Sequence, residues 1–219
     1  MAATEQSIGI VGPGVILDGI LRVPERATGL VLFAHGSGSG RLSPRNQFVA
    51  QVLNEAGLAT LLLDLLTSDE ECDSRLVFDL ELLSQRLALA ASWASDDAEL
   101  GDLPMGLFGA STGAAAALIA AARDPGMARA VVSRGGRPDL AGSALSRVAV
   151  PTLLIVGGDD SDVLELNRRA MVRMGCHVRL EVVPGATHLF PEPGAMEEVA
   201  AMAREWFVRF LRDPRENGT

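Results

Sequence analysis

The chain has 219 residues, 48% of them hydrophobic, which suffices for one ordinary globular core. It carries 28 acidic against 19 basic residues, a formal net charge of -9, which disfavours nucleic acid as a partner and suits a protein kept apart by self-repulsion. Two cysteines, Cys72 and Cys176, give neither a C-x-x-C pair nor a disulfide framework and read as reduced, buried thiols, and three scattered histidines do not make a metal site.

The opening "MAATEQSIGI" lacks a basic stretch followed by an apolar one, so no signal peptide is expected. The longest apolar run, residues 114–122, falls far short of the ~20 residues that span a bilayer. No membrane span and a cytoplasmic location are the resulting expectations. In chain order, "VILDGILRVPE" alternates as a strand does, and "GLVLFAHG" is a continuous apolar run of the kind a doubly covered parallel strand makes. The loop "GSGSGRLSPRN" follows, then a helix over "QFVAQVLNEAG" stopped by Gly57, then a buried strand in "LATLLLDLL". The acidic "TSDEECDSR" reads as a solvated loop with N-cap candidates, ahead of a helix from Leu76 to Trp93.

Beyond it, "PMGLFGAS" is a strand running into an alanine-rich helix. "ARAVVSRGG" and "VPTLLIVGGDD" are two further strands that end in glycine. "VLELNRRAMVRMG" is a helix, "HVRLEVVPGATH" a strand, and "AMEEVAAMAREWFVRFL" a terminal amphipathic helix. Such alternation predicts an α/β fold whose mainly parallel sheet is covered by helices on both faces. Ligand sites in such sheets lie at the carboxyl ends of the strands, which here carry His35 to Gly40, Asp64, Gly109 to Gly113, Ser133 to Arg137, Gly157 to Asp162 and His188.

Within "GASTG", Gly109 and Gly113 bracket Ser111 in the spacing G-x-S-x-G. A serine hydroxyl is a weak nucleophile at neutral pH and needs a base, a group to orient that base and donors for the developing charge. A sharp strand-to-helix turn would push the Ser111 oxygen out, and flanking glycines relieve its crowding. A tight turn without chemistry has the same spacing, so the discriminating feature lies downstream, in "VGGDDSDV" and then "PGATHLF", an acid and a histidine in the order that a nucleophile elbow requires. His188 is selected as the base, because His35 belongs to the glycine loop and His177 starts a strand. The loop "HGSGSG" fits neither G-x-G-x-x-G nor a Walker lysine, so nucleotide binding is rejected.

With "HGSGSG", "GASTG", "VGGDDSDV" and "GATHLF" in this order, the chain resembles the α/β-hydrolases, and among them the small dienelactone-hydrolase-like serine hydrolases, over nearly its whole length. The resemblance implies a single α/β-hydrolase domain over residues 1–219 with no large cap, since the segment from Arg134 to Val148 is short where larger relatives insert one. It implies Ser111 as nucleophile, His188 as base and Asp160 as the orienting acid, with Asp159 the runner-up and Asp162 assigned to capping the next helix. The oxyanion hole would be the backbone N–H groups of Ser37 and Thr112. Dienelactone hydrolases proper use a cysteine, and neither cysteine here lies at an elbow, so dienelactone itself is a doubtful substrate.

The implied activity is cofactor-free hydrolysis of a small ester, thioester or lactone. A ligand-binding protein without catalysis, and peptidase or perhydrolase chemistry on the same triad, are the alternatives. Arg41, Arg134 and Arg137 stand near the mouth, where they could meet an anionic part of a small-molecule substrate. Monomer or homo-oligomer is left open. Relatives of this type are sometimes fused to a phosphoribosyltransferase domain, but these residues supply no phosphoribosyl site.

Overall fold

A computed structural model describes residues 4–211. Its centre is an eight-stranded sheet in the order β1-β2-β4-β3-β5-β6-β7-β8, formed by β1 (Thr4–Gly12), β2 (Val15–Val23), β3 (Leu30–Ala34), β4 (Ala59–Leu63), β5 (Met105–Ala110), β6 (Ala130–Arg134), β7 (Thr152–Gly157) and β8 (Val178–Val183). From β4 to β8 every neighbouring pair is parallel, whereas β1 and β2 pair antiparallel and β2 joins β4 antiparallel. Every residue of β3, β4, β5, β6 and β7 is buried, which is why these segments are mostly apolar, with Thr60, Ser133, Arg134 and Thr152 as buried exceptions.

The helices are α1 (Pro44–Glu55), α2 (Ser74–Val77), α3 (Leu80–Ser95), α4 (Thr112–Arg123), α5 (Ser161–Arg173) and α6 (Ala195–Leu211). Parallel neighbours need crossovers, and the helices supply them on both faces. Leu32, Ala34, Leu61, Leu107 and Val131 pack with α3 and α4 on one face, while Val31, Phe33, Leu62, Phe108 and Val132 pack with α1 and α6 on the other. No cap covers the carboxyl edge. The segment after β6 holds only a 3-10 stretch, Pro138–Arg147, broken at Gly142. No described helix is long and apolar enough to cross a membrane.

Four readings of the sequence are corrected. The first strand, β1, was not expected, because its first six residues are exposed or half-buried and carry no clean alternation; it exists by pairing along all of β2. The helix expected over 76–93 is two, since Asp79 accepts a hydrogen bond from the Leu82 N–H and starts α3 anew. Asp162 lies in the first turn of α5 and Asp160 holds the N-cap position. Cys72 is exposed and Cys176 half-buried, both free.

Candidate active site

Strand β5 ends at Ala110 and α4 begins at Thr112, so Ser111 alone makes the turn, with φ 51° and ψ -120°. A non-glycine residue in that region stores strain, of order 1–3 kcal/mol. The surroundings fix it: the Ser111 N–H donates to the Arg134 carbonyl (3.2 Å), and the Ser111 carbonyl accepts from the N–H groups of Ala114 (3.2 Å) and Arg137 (3.1 Å). The glycines are steric necessities. A Cβ at Gly109 would stand 2.4 Å from the Ala114 Cα, and one at Gly113 2.2 Å from the Ala34 carbonyl oxygen.

His188 comes from the loop after β8, and its Nε2 lies 3.4 Å from the Ser111 Oγ. Its Nδ1 lies 2.6 Å from Asp160 Oδ2. With a carboxylate at Nδ1, that nitrogen carries the proton and Nε2 offers its lone pair to the serine. Asp160 occupies the N-cap position of α5, yet its side chain makes no capping bond and goes to the histidine instead. Asp159 is exposed, and its N–H donates to the Ala186 carbonyl, so the geometry favours Asp160 of the two. The histidine loop is anchored by Phe190, buried at 1% exposure with φ 56°, a contribution the sequence did not disclose.

The glycine loop after β3 is held from below. His35 Nε2 accepts from the Leu65 N–H (3.0 Å), and Nδ1 is 2.9 Å from the Gly36 carbonyl, so the ring is neutral with its proton on Nδ1. Burial pushes its pKa below the ordinary 6.5. Asp64 accepts from the Arg41 N–H (2.6 Å) and from its guanidinium, which also reaches Asp18 at 3.3 Å. The Ser37 N–H, one of the two expected oxyanion donors, gives its hydrogen bond to the Thr112 hydroxyl at 3.1 Å. The Thr112 N–H, the other, opens α4 and has no acceptor within its helix.

A cavity of about 140 Å³ lies beside these donors, lined by His35, Ser37, Leu66, Val77, Leu83 and Thr112 among others. A larger hollow, about 560 Å³, lies over α1 and touches none of Ser111, Asp160 and His188. Leu42, Phe78, Leu140 and Leu189 are exposed, on the segments that follow β3, β4, β6 and β8. Among the described residues no group of three or more His, Cys, Asp or Glu side chains is placed to hold a metal ion.

The three arginines expected at the mouth separate. Arg41 is taken up by Asp64 and Asp18, and Arg137 by both oxygens of Asp139 at 2.9 and 2.8 Å. Arg134 is not at an open mouth. It is buried at 6% exposure, because it is the last residue of β6 and its side chain falls on the α1 and α6 face.

This fold is that of an α/β-hydrolase. A solved dienelactone hydrolase from Anabaena variabilis is 52% identical, with a TM-score of 0.94 over 97% of this chain and 100% of that one. A model described as the dienelactone hydrolase family matches residues 44–212, and the chain belongs to that family, one of hydrolases. More distant structures share the fold: Est1E from Butyrivibrio proteoclasticus, 17% identical with a TM-score of 0.79 over 93% of this chain and 98% of its own, and a serine hydrolase without lid from Xanthomonas campestris, 19% identical with a TM-score of 0.78 over 95% and 96%. A Mycobacterium tuberculosis protein provisionally named a phosphoribosyl transferase is 54% identical over 98% of this chain. The match takes in 48% of that protein's length, so the chain spans about half of the curated relative.

Proposed function

We propose that the chain is a serine hydrolase that cleaves a small ester, thioester or lactone through an acyl-serine intermediate. The observation that carries this reading is the line Asp160–His188–Ser111, 2.6 Å and then 3.4 Å, ending at a serine held in a strained turn. The longer contact is of the kind that tightens when a substrate binds.

In the reaction the Ser111 Oγ attacks the carbonyl carbon while its proton passes to His188 Nε2. Asp160 stabilises the resulting imidazolium through Nδ1–H. The carbonyl oxygen, now negative, takes hydrogen bonds from the N–H groups of Thr112 and Ser37, the second released from the Thr112 hydroxyl. Collapse breaks the bond to the leaving oxygen or sulfur, which receives the proton from His188. Water, deprotonated by the same nitrogen, then attacks the acyl-serine; the bond from the acyl carbon to Ser111 Oγ breaks, Oγ takes the proton back from His188 Nε2, and the acid departs. No cofactor enters this balance. The cavity beside Ser37 and Thr112, at about 140 Å³, is small beside the 300–1,000 Å³ of pockets for drug-sized ligands, and favours a short acyl group. The phosphoribosyl transferase name belongs to a protein about twice as long, and the triad has no part in such a transfer.

The test is turnover of a short-chain 4-nitrophenyl ester panel together with labelling by a serine-reactive phosphonate, read by intact mass. Wild type should hydrolyse and take one label, and Ser111→Ala should lose the label and about 10³-fold or more of the rate. A folded wild-type protein that neither hydrolyses nor labels would leave only ligand binding for this site.

A further inference from the structure

The sheet ends in two strands that have a neighbour on one side only among the described residues, β1 at one edge and β8 at the other. An open strand edge offers a row of N–H and C=O groups to another chain, and proteins ordinarily blunt it with a proline, a bulge or repelling charge. Strand β8 has none of these. It contains no proline and runs in unbroken register with β7 from Val178 to Val183. Its two charged residues, Arg179 and Glu181, are of opposite sign and pair with each other.

The bonds to β7 fix which backbone groups face outward. The carbonyls of His177 and Val183 accept from the N–H groups of Thr152 and Gly158, so the odd-numbered residues turn their backbone groups toward β7. Val178, Leu180 and Val182 therefore turn theirs to the open side. These positions mirror one another about Leu180. Laid antiparallel against a second β8, Leu180 meets Leu180 and Val178 meets Val182, each pair exchanging two N–H···O=C bonds. The same register sets Arg179 of each copy opposite Glu181 of the other, in the non-hydrogen-bonded pairs whose side chains come closest.

The side chains follow the same symmetry on both faces. Arg179 and Glu181 lie on the α6 side, where with Glu205 and Arg209 they line a hollow of about 150 Å³. Two cations and two anions leave that side without net charge, in a chain whose total of -9 otherwise repels a copy of itself. Val178, Leu180 and Val182 alternate onto the α5 side, so that apolar residues meet apolar residues there, and Val182 is 39% exposed. The other edge has no such match. Strand β1 carries a single charge, Glu5, already bound by Arg22, and two glycines that bring no side chain to a pair.

We propose that two copies of this chain join through β8, antiparallel about Leu180, so that their sheets become one. The contact uses none of Ser111, Asp160 and His188 and stands or falls independently of the serine-hydrolase reading. The experiment is sedimentation of the full chain from low to high micromolar concentration. Wild type should form a dimer. Arg179→Glu and, separately, Glu181→Arg set like charges opposite each other across the two-fold axis, and each should weaken the dimer by about tenfold or more. Mixed in equal amounts, the two variants should pair with each other, because one then presents two acids to the two bases of the other.

Val182→Pro removes an outward N–H and no bond to β7, so it should keep the fold by circular dichroism and lose the dimer. Should that variant unfold, the two charge reversals and their mixture decide alone. A wild-type monomer at every concentration would overturn the assembly and leave the β8 edge to a different chain. A dimer that persists in both reversals would also overturn it and move the contact elsewhere, β1 included. Reversals that stay monomeric when mixed would overturn the register about Leu180.

Discussion

On the face of the sheet covered by α3 and α4 the core is made largely of alanine and leucine: Ala115 to Ala117, Ala120 and Ala121 of α4 pack in one cluster with Ala90, Ala91 and Ala94 of α3. On the face covered by α1 and α6 it is made of rings, with Phe33, Phe108, Phe190, Phe207 and Trp206 buried together and the Phe33 ring tilted by 33° against Phe108 at 4.7 Å between centroids. The difference follows from how closely α4 meets the sheet. Helix α4 has to reach the strand ends so closely that the Ala114 Cα would touch any side chain at Gly109, and only small residues allow that approach. The opposite face is filled by rings, and the side chain of Arg134, at the end of β6, is buried on that side.

Three substitutions sharpen this contrast, in descending order of their expected effect on ester turnover. Gly113→Val on the close face places side-chain atoms on the carbonyls of Ala34 and His35, backbone that cannot step aside. It should cost about 3 kcal/mol or more by urea unfolding and abolish ester turnover, because α4 and Ser111 move together. Wild-type stability and rate in that variant would mean that contact distance does not dictate the small residues. Phe207→Ala on the ring face removes a fully buried side chain and should cost about 3–5 kcal/mol, with Ser111 still labelled by phosphonate in the folded fraction; its stability loss should match or exceed that of Gly113→Val, but its loss of chemistry should be far smaller. Loss of labelling in that folded fraction would show that the two faces are mechanically coupled.

His35→Gln should have the smallest effect, and one confined in pH. Burial holds the folded His35 pKa below 6.5, so the unfolded chain binds a proton first as the solution is acidified. Stability present above that pH is therefore lost on going down through it toward the folded pKa. Urea midpoints measured from about pH 7 to about pH 5 should fall more steeply for wild type than for His35→Gln, by at most about 1.4 kcal/mol for each tenfold difference in proton affinity between the unfolded and folded chains. Parallel curves would count against a buried neutral imidazole.

The parts of this protein that were legible in its sequence are those fixed by local rules. Continuous apolar runs marked β3 to β7, and Gly57, at φ 82°, marked the end of α1. The order of serine, acid and histidine located residues that the fold brings into one line, although 28 positions separate Asp160 from His188 and 77 separate Ser111 from His188. What escaped depends on partners. β1 is a strand because β2 is there to bond it, Arg134 is buried because its place at the end of β6 turns it inward, and Phe190 follows His188 closely with a backbone angle that no periodicity announces. The arginines show the same limit: charge was visible in the sequence, but which of them already had a carboxylate was not.

The hydrogen bond from the Ser37 N–H to the Thr112 hydroxyl gives the proposed chemistry a property of its own. Because this donor is already occupied, a substrate carbonyl can recruit it only by exchanging one neutral acceptor for another, which gains little. Once the oxygen becomes negative the exchange is strongly downhill, since charge-assisted bonds are about twice as strong as neutral ones. The threonine thus acts as a reference against which acceptors are compared: it withholds the donor from the ground state and yields it to the transition state, so that the bond favours kcat over tight substrate binding.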